Sequence, residues 1–246
     1  MLAPTLLLLT LCLVHWVITQ YTYGRLMRLG SRWALFPLIG PGIITHELSH
    51  YLVCKCTLAT VTRIKLFDFD NASAQFGGVS YRHTSNPLLR FPINFLVGIA
   101  PLPGALLCML VLTNLLLPDY LLLSVSVALN NALVYTVTQV EFWEALVVET
   151  PVLLSAFELN AKTALWLVLV GLISHGAAPS IKDYKLAMPF GLILILVLLL
   201  FGGGAANGYI EMLMKVGSVA MLLLIIPLAA WSLLMGITHK LIVARL

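Results

Sequence analysis

Three ionisable residues, His46, Glu47 and His50, stand inside an otherwise apolar run, ALFPLIGPGIITHELSHYLVC, at positions 34–54. Histidines four residues apart lie one helical turn apart on one face, so both imidazoles can reach a single Zn²⁺. Glu47, next to the first histidine, is placed to act as general base. A coordinated metal lowers the pKa of a water to about 7, and a neighbouring carboxylate can take its proton. Three such groups in an apolar setting are costly unless partnered. The plain alternative is a polar trio that only holds helices together. H-E-x-x-H arises by chance in a chain of this composition roughly a few times per thousand, so the metal site is the stronger reading.

A hydrolytic zinc site takes a third protein ligand and leaves a fourth position open. The acidic candidates are Asp68, Asp70, Asp119, the glutamates from Glu141 to Glu158, and Asp183. Asp183 keeps company with His175, Pro179 and Ser180 in SHGAAPSIKDYKLA. Ser180-x-x-Asp183 is equally a helix capping pattern, so ligand and cap are both open for Asp183. His175 could be a zinc ligand, a proton shuttle or a residue that orients a ligating group, and an orienting or structural role is favoured over direct ligation. Asn94 is a candidate donor to a scissile carbonyl, or a polar link between helices.

The elements that must position these residues follow from composition. The chain has 246 residues, 61% hydrophobic and 10% charged, with a mean hydropathy of +1.01. A soluble domain carries about 25% charged residues, so the composition points to an integral membrane protein. The net charge of +4 comes from scattered Lys and Arg that form no basic stripe, which argues against a nucleic-acid partner. Four cysteines without a CxxC pair imply no disulfide framework. Apolar runs predict an all-α polytopic fold with about seven transmembrane helices, at about 2–22, 34–56, 91–117, 119–139, 161–176, 186–201 and 209–236. The stretch from Glu141 to Glu158 is expected at a membrane surface, and Gly202-Gly203-Gly204 as a tight connection.

Residues 58–82 read differently. Val61, Ile64, Leu66 and Phe67 are β-prone, Asp68 to Ser73 supplies turn residues, and Gln75 to Tyr81 returns. This predicts one membrane-associated β-hairpin. Arg25, Arg28 and Arg32 favour a cytoplasmic first loop, hence an external N-terminus and a cytoplasmic C-terminus. The same count sets Asp183 towards the cytoplasm and His50 towards the outside.

HELSH at 46–50, a hairpin ending in Gly77-Gly78-Val79, and Ala100-Pro101 in the next run together resemble the site-2 protease-like (peptidase M50-like) group of intramembrane zinc metalloproteases. The likeness is greatest to small prokaryotic membrane metalloproteases with a HELSH-type motif and a later H-x-x-P-S-x-x-D-like segment. Here that segment is His175-Gly-Ala-Ala-Pro179-Ser180-Ile-Lys-Asp183, with one extra residue before the proline. It covers about residues 34–190 within a single membrane domain of 1–246. It implies a zinc endopeptidase of the prokaryotic cell membrane, with membrane-protein or peptide substrates. His46, His50 and Asp183 would be ligands, Glu47 the base, and Gly77, Gly78 and Val79 the strand that pairs with unwound substrate. Ser49 stands where the family commonly has glycine, and no Leu-Asp-Gly is present. A membrane amidase or lipid hydrolase, or a silent relative that binds membrane clients, are the alternatives.

Overall fold

The computed structural model describes residues 2–27, 31–57, 59–72, 75–82, 86–119, 158, 160–201 and 205–243. Most of the expected run 119–139, the acidic stretch up to Thr150 and beyond to residue 157, and the Gly202–Gly204 connection lie outside them. The described chain forms seven helices and one hairpin: α1 (Leu2–Leu26), α2 (Arg32–Cys56), β1 (Thr60–Lys65), β2 (Gly78–Arg82), α3 (Pro87–Ile99), α4 (Pro101–Leu116), α5 (Ala161–Gly176), α6 (Ile181–Phe201) and α7 (Ala205–Val243).

Local sequence explains the boundaries that matter for the site. Asn86 caps α3 by accepting from the Leu88 N–H at 2.9 Å, with Pro87 at the first helical position where no N–H is needed. Asn160 caps α5 in the same way through the Lys162 and Thr163 N–H groups. Pro101 starts α4 directly after α3 and bends the pair by 43°.

The helices pack as α1 along α7, α3 along α6, and α2 across α5, with α4 and α7 also against α5. Leu35, Ile39 and Ile43 of α2 meet Leu172 of α5 and Trp231 and Met235 of α7 in one apolar cluster. A second joins Val170 and Ile173 of α5 to Ala105 and Met109 of α4 and to Met221 and Leu224 of α7. Small residues permit the tightest crossings. At Gly42 and Gly176 the backbones of α2 and α5 touch, and neither position has room for a Cβ. Gly98 likewise brings α3 onto α6, where a Cβ would lie 2.6 Å from the Asp183 carbonyl oxygen.

The expectation of about seven membrane spans is corrected. Among the described residues one helix, Lys215–Ile237, is long and apolar enough to cross a membrane, or up to three spans if each of two bent pairs counts as one. Those pairs are Leu88–Ile99 with Pro101–Leu116, and Ala161–Gly176 with Ile181–Leu194, the latter bent by 64°. Apolar runs were counted as whole spans, but Pro101 splits one of them. The runs at 161–176 and 186–201 belong to two arms of one bent pair. In α2 the HELSH residues dilute the apolar run itself.

The hairpin appears where the sequence places it. β1 and β2 pair antiparallel, with Val61 opposite Tyr81, Ile64 opposite Val79 and Lys65 opposite Gly78, and an irregularity at Thr62. Val61, Val79 and Tyr81 pack on Cys54, Ile93 and Val97, which seats the hairpin on α2 and α3. Arg32 ties its far end down. Its Nη1 donates to the Asp68 and Gln75 carbonyls at 2.9 and 2.7 Å, and its guanidinium lies 4.4 Å over the Phe76 ring. Asp68 also pairs with Lys65 at 2.8 Å and accepts from the Asp70 N–H, so both aspartates shape the turn.

Candidate metal centre

Side chains from two helices converge at one point. His46 and His50, one turn apart on α2, bring their Nε2 atoms to 3.0 Å from each other. Asp183, in the first turn of α6, sets Oδ2 3.3 Å from His46 Nε2 and Oδ1 3.3 Å from His50 Nε2. The two residues that the topology count put on opposite sides are therefore neighbours, because the α5–α6 bend carries Asp183 back to α2.

Backbone carbonyls set the tautomers. His46 Nδ1 lies 2.8 Å from the Gly176 oxygen, and His50 Nδ1 lies 2.8 Å from the Val97 oxygen. A carbonyl only accepts, so each Nδ1 carries the hydrogen. A neutral imidazole has one N–H, which leaves both Nε2 lone pairs facing each other and a carboxylate. A proton on one Nε2 relieves only that nitrogen's contacts, whereas a cation between the three relieves them all. His46, His50 and Asp183 thus form a cluster that could hold a metal ion, their ligand atoms all within 4.8 Å of one another. The orienting carbonyls are a regular feature of histidine metal ligands.

Asp183 is a cap, and it also belongs to the cluster that could hold a metal ion. Its Oδ2 accepts from the Ser180 N–H at 2.6 Å while Ser180 Oγ accepts from the Asp183 N–H at 3.2 Å. This reciprocal cap holds the carboxylate in place towards the histidines instead of competing with them.

Glu47 is buried, 8% exposed, under the loop that leads into β2. A Cβ at Gly77 would lie 2.7 Å from Glu47 Cγ and 3.0 Å from the Lys65 oxygen, so only glycine fits between the hairpin and the carboxylate. Gly77 precedes β2, Gly78 opens it opposite Lys65, and the Val79 side chain packs into the cluster beneath. Gly77→Ala is expected to push the Glu47 side chain aside and to destabilise the chain by about 1–3 kcal/mol, the usual cost of overpacking. A lowered unfolding temperature checks this.

No family model, curated protein or solved structure matches the chain.

His175 does not touch the three ligand atoms through its nitrogens. It is 1% exposed, its ring lies 4.5 Å from the Tyr23 ring, and neither nitrogen has a hydrogen-bond partner among the described residues. The orienting contact comes from the next residue's carbonyl, Gly176. Asn94 accepts from the Tyr81 hydroxyl at 3.2 Å, and burial pushes the Tyr81 phenol up to about 12, so it remains a donor at neutral pH. Asn94 lies one turn before Val97 on α3, beside a pocket of its own.

Sequence reasoning missed the Val97 and Gly176 carbonyls, which no side-chain pattern reveals. It also missed Gly104 on α4. Ser49 donates to the Thr45 carbonyl at 2.6 Å, and Gly104 faces it with no space for a Cβ. Ser49 is accommodated by a glycine on the facing helix. Glycines inside apolar helices were the available signal.

Proposed function

We propose that this chain is a zinc-dependent endopeptidase that cleaves membrane-protein substrates within or beside the bilayer. The observation that carries the reading is the convergence of two bare imidazole nitrogens and a capped carboxylate beside a buried glutamate. Two nitrogens and one oxygen are a usual donor set for catalytic zinc. Their separations of 3.0, 3.3 and 3.3 Å are near the roughly 3.3 Å edge of a tetrahedron with metal–ligand bonds of about 2.0–2.1 Å. A membrane setting is supported by large side chains left bare on the helices, such as Leu88 at 80%, Leu115 at 70% and Leu233 at 68% exposed.

Zn²⁺, when held by His46, His50 and Asp183, supplies Lewis acidity towards a water and the scissile carbonyl. Glu47 receives the proton of the attacking water on a carboxylate oxygen as the new C–O bond forms. It then returns that proton to the amide nitrogen as the C–N bond breaks, which gives an amine and a carboxylic acid, and the acid's proton passes to the amine so that an ammonium and a carboxylate leave. Burial of Glu47 beneath Gly77 shields the transfer from bulk water. A substrate helix hides its peptide bonds, and pairing with an exposed strand is the simplest way to extend it. The hairpin reaching Glu47 is placed for that.

The test is cleavage of a single-span reporter by the purified chain in lipid vesicles. Cleavage should stop with a zinc chelator and return with Zn²⁺. Cleavage that persists through chelation would overturn the reading.

A further inference from the structure

Between α3 and α6 lies a pocket of about 300 Å³ lined by Arg90, Phe91, Asn94, Lys185, Leu186 and Pro189. Its polar side chains are two cations and one amide. Arg90 and Lys185 are cations without an acidic partner among the described residues. Asn94 accepts from the Tyr81 hydroxyl through Oδ1 and has two N–H donors to offer. No carboxylate lines the pocket, and the other three walls are apolar. Such a site suits an anion attached to something greasy.

Its surroundings say what the greasy part is. One helical turn from the pocket residues Phe91, Lys185 and Pro189 lie Leu88, Met188 and Leu192, all strongly exposed. A water-soluble anion gains nothing from those side chains, whereas acyl chains lie along them.

We propose that this pocket binds the phosphate of an anionic phospholipid, with Arg90 and Lys185 flanking the phosphate, Asn94 donating to it, and the acyl chains running along the apolar faces of α3 and α6. Basic pockets between helices are where such headgroups are held in membrane proteins. The same two helices carry the Val97 carbonyl that orients His50 and the ligand candidate Asp183. A headgroup bridging Arg90 on α3 to Lys185 on α6 therefore clamps the pair that frames the metal centre. The inference rests on the proposed membrane setting and does not depend on hydrolysis.

The experiment titrates the purified full chain, in uncharged detergent, with dioctanoyl phosphatidylglycerol, dioctanoyl phosphatidylcholine and inorganic phosphate. The same titrations are run on Arg90→Gln/Lys185→Gln and on Lys185→Gln alone, with thermal unfolding as the check on folding. Both side chains are exposed, so the replacements leave the packing intact. Saturable phosphatidylglycerol binding is expected, weaker by about tenfold or more in the double variant and partly so in the single one, as befits lost charge-assisted hydrogen bonds. Phosphatidylcholine and inorganic phosphate should bind more weakly than phosphatidylglycerol. Equal binding by wild type and both variants, or equal binding of the two lipids, overturns the proposal. Inorganic phosphate binding as tightly as the lipid overturns it too, by making the free anion the ligand. A chain that binds phosphatidylglycerol as expected but cleaves nothing leaves this inference standing and removes the peptidase reading alone.

Discussion

Replacing Glu47 by glutamine is expected to lower peptide hydrolysis by about 10²–10⁴-fold, the range that a general base contributes, while metal content stays at the wild-type level. Glutamine has the shape of glutamate, so it fits under Gly77 as Glu47 does. It cannot accept the proton of an attacking water at its amide oxygen to any useful extent. The proposed metal ligands are separate side chains, the two histidine rings held by the Gly176 and Val97 carbonyls and Asp183 by Ser180, not by Glu47. Turnover of a reporter and elemental analysis on the same preparation decide the matter. Retained turnover with retained metal would remove Glu47 from the chemistry.

The second large effect is expected at a glycine that acts only through its backbone. Gly176→Ala places a methyl group against the backbone of Gly42, its carbon coming 2.5 Å from the Gly42 Cα and closer still to the carbonyl. Backbone cannot rotate away as a side chain can, so α2 and α5 must separate. Alanine favours a helix over glycine by about 1 kcal/mol, but overpacking a close crossing costs about 1–3 kcal/mol or more, and here it prevails. The separation pulls the Gly176 oxygen from His46 Nδ1 and shifts the bend that delivers Asp183. Loss of most bound metal together with a lowered unfolding temperature is expected. Wild-type metal content in this variant would show that the α2–α5 contact does not hold the site together.

Much of the centre was legible because its chemistry is written in side-chain types at helical spacing. His46 and His50 needed only the i, i+4 rule. Asp183 was ambiguous between ligand and cap because one carboxylate with two oxygens can serve both, and its bonds to Ser180 make the cap while its approach to the histidines puts it in a cluster that could hold a metal ion. The hairpin was legible from β-prone residues around an Asp-rich turn, and Arg32, counted beforehand only as a loop charge, proves to be the clamp on that turn. The number of spans was not legible. Hydropathy averages over a window and cannot register that Ala177–Ser180 turns the chain by 64°, or that Pro101 divides a run of apolar residues. His175 was read as a residue that orients a ligating group, but the group that orients His46 is the carbonyl one residue on, and carbonyls are common to all residues.

The most direct test of the central claim is the metal content of the purified, detergent-solubilised chain, measured for wild type and for His46→Ala, His50→Ala and Asp183→Ala. The account predicts about one zinc per wild-type chain, as a catalytic site of three protein ligands requires, and loss of most of it in each variant. Full zinc occupancy in Asp183→Ala, or a wild-type chain that takes up no zinc when purified without chelators and supplied with the ion, would contradict it.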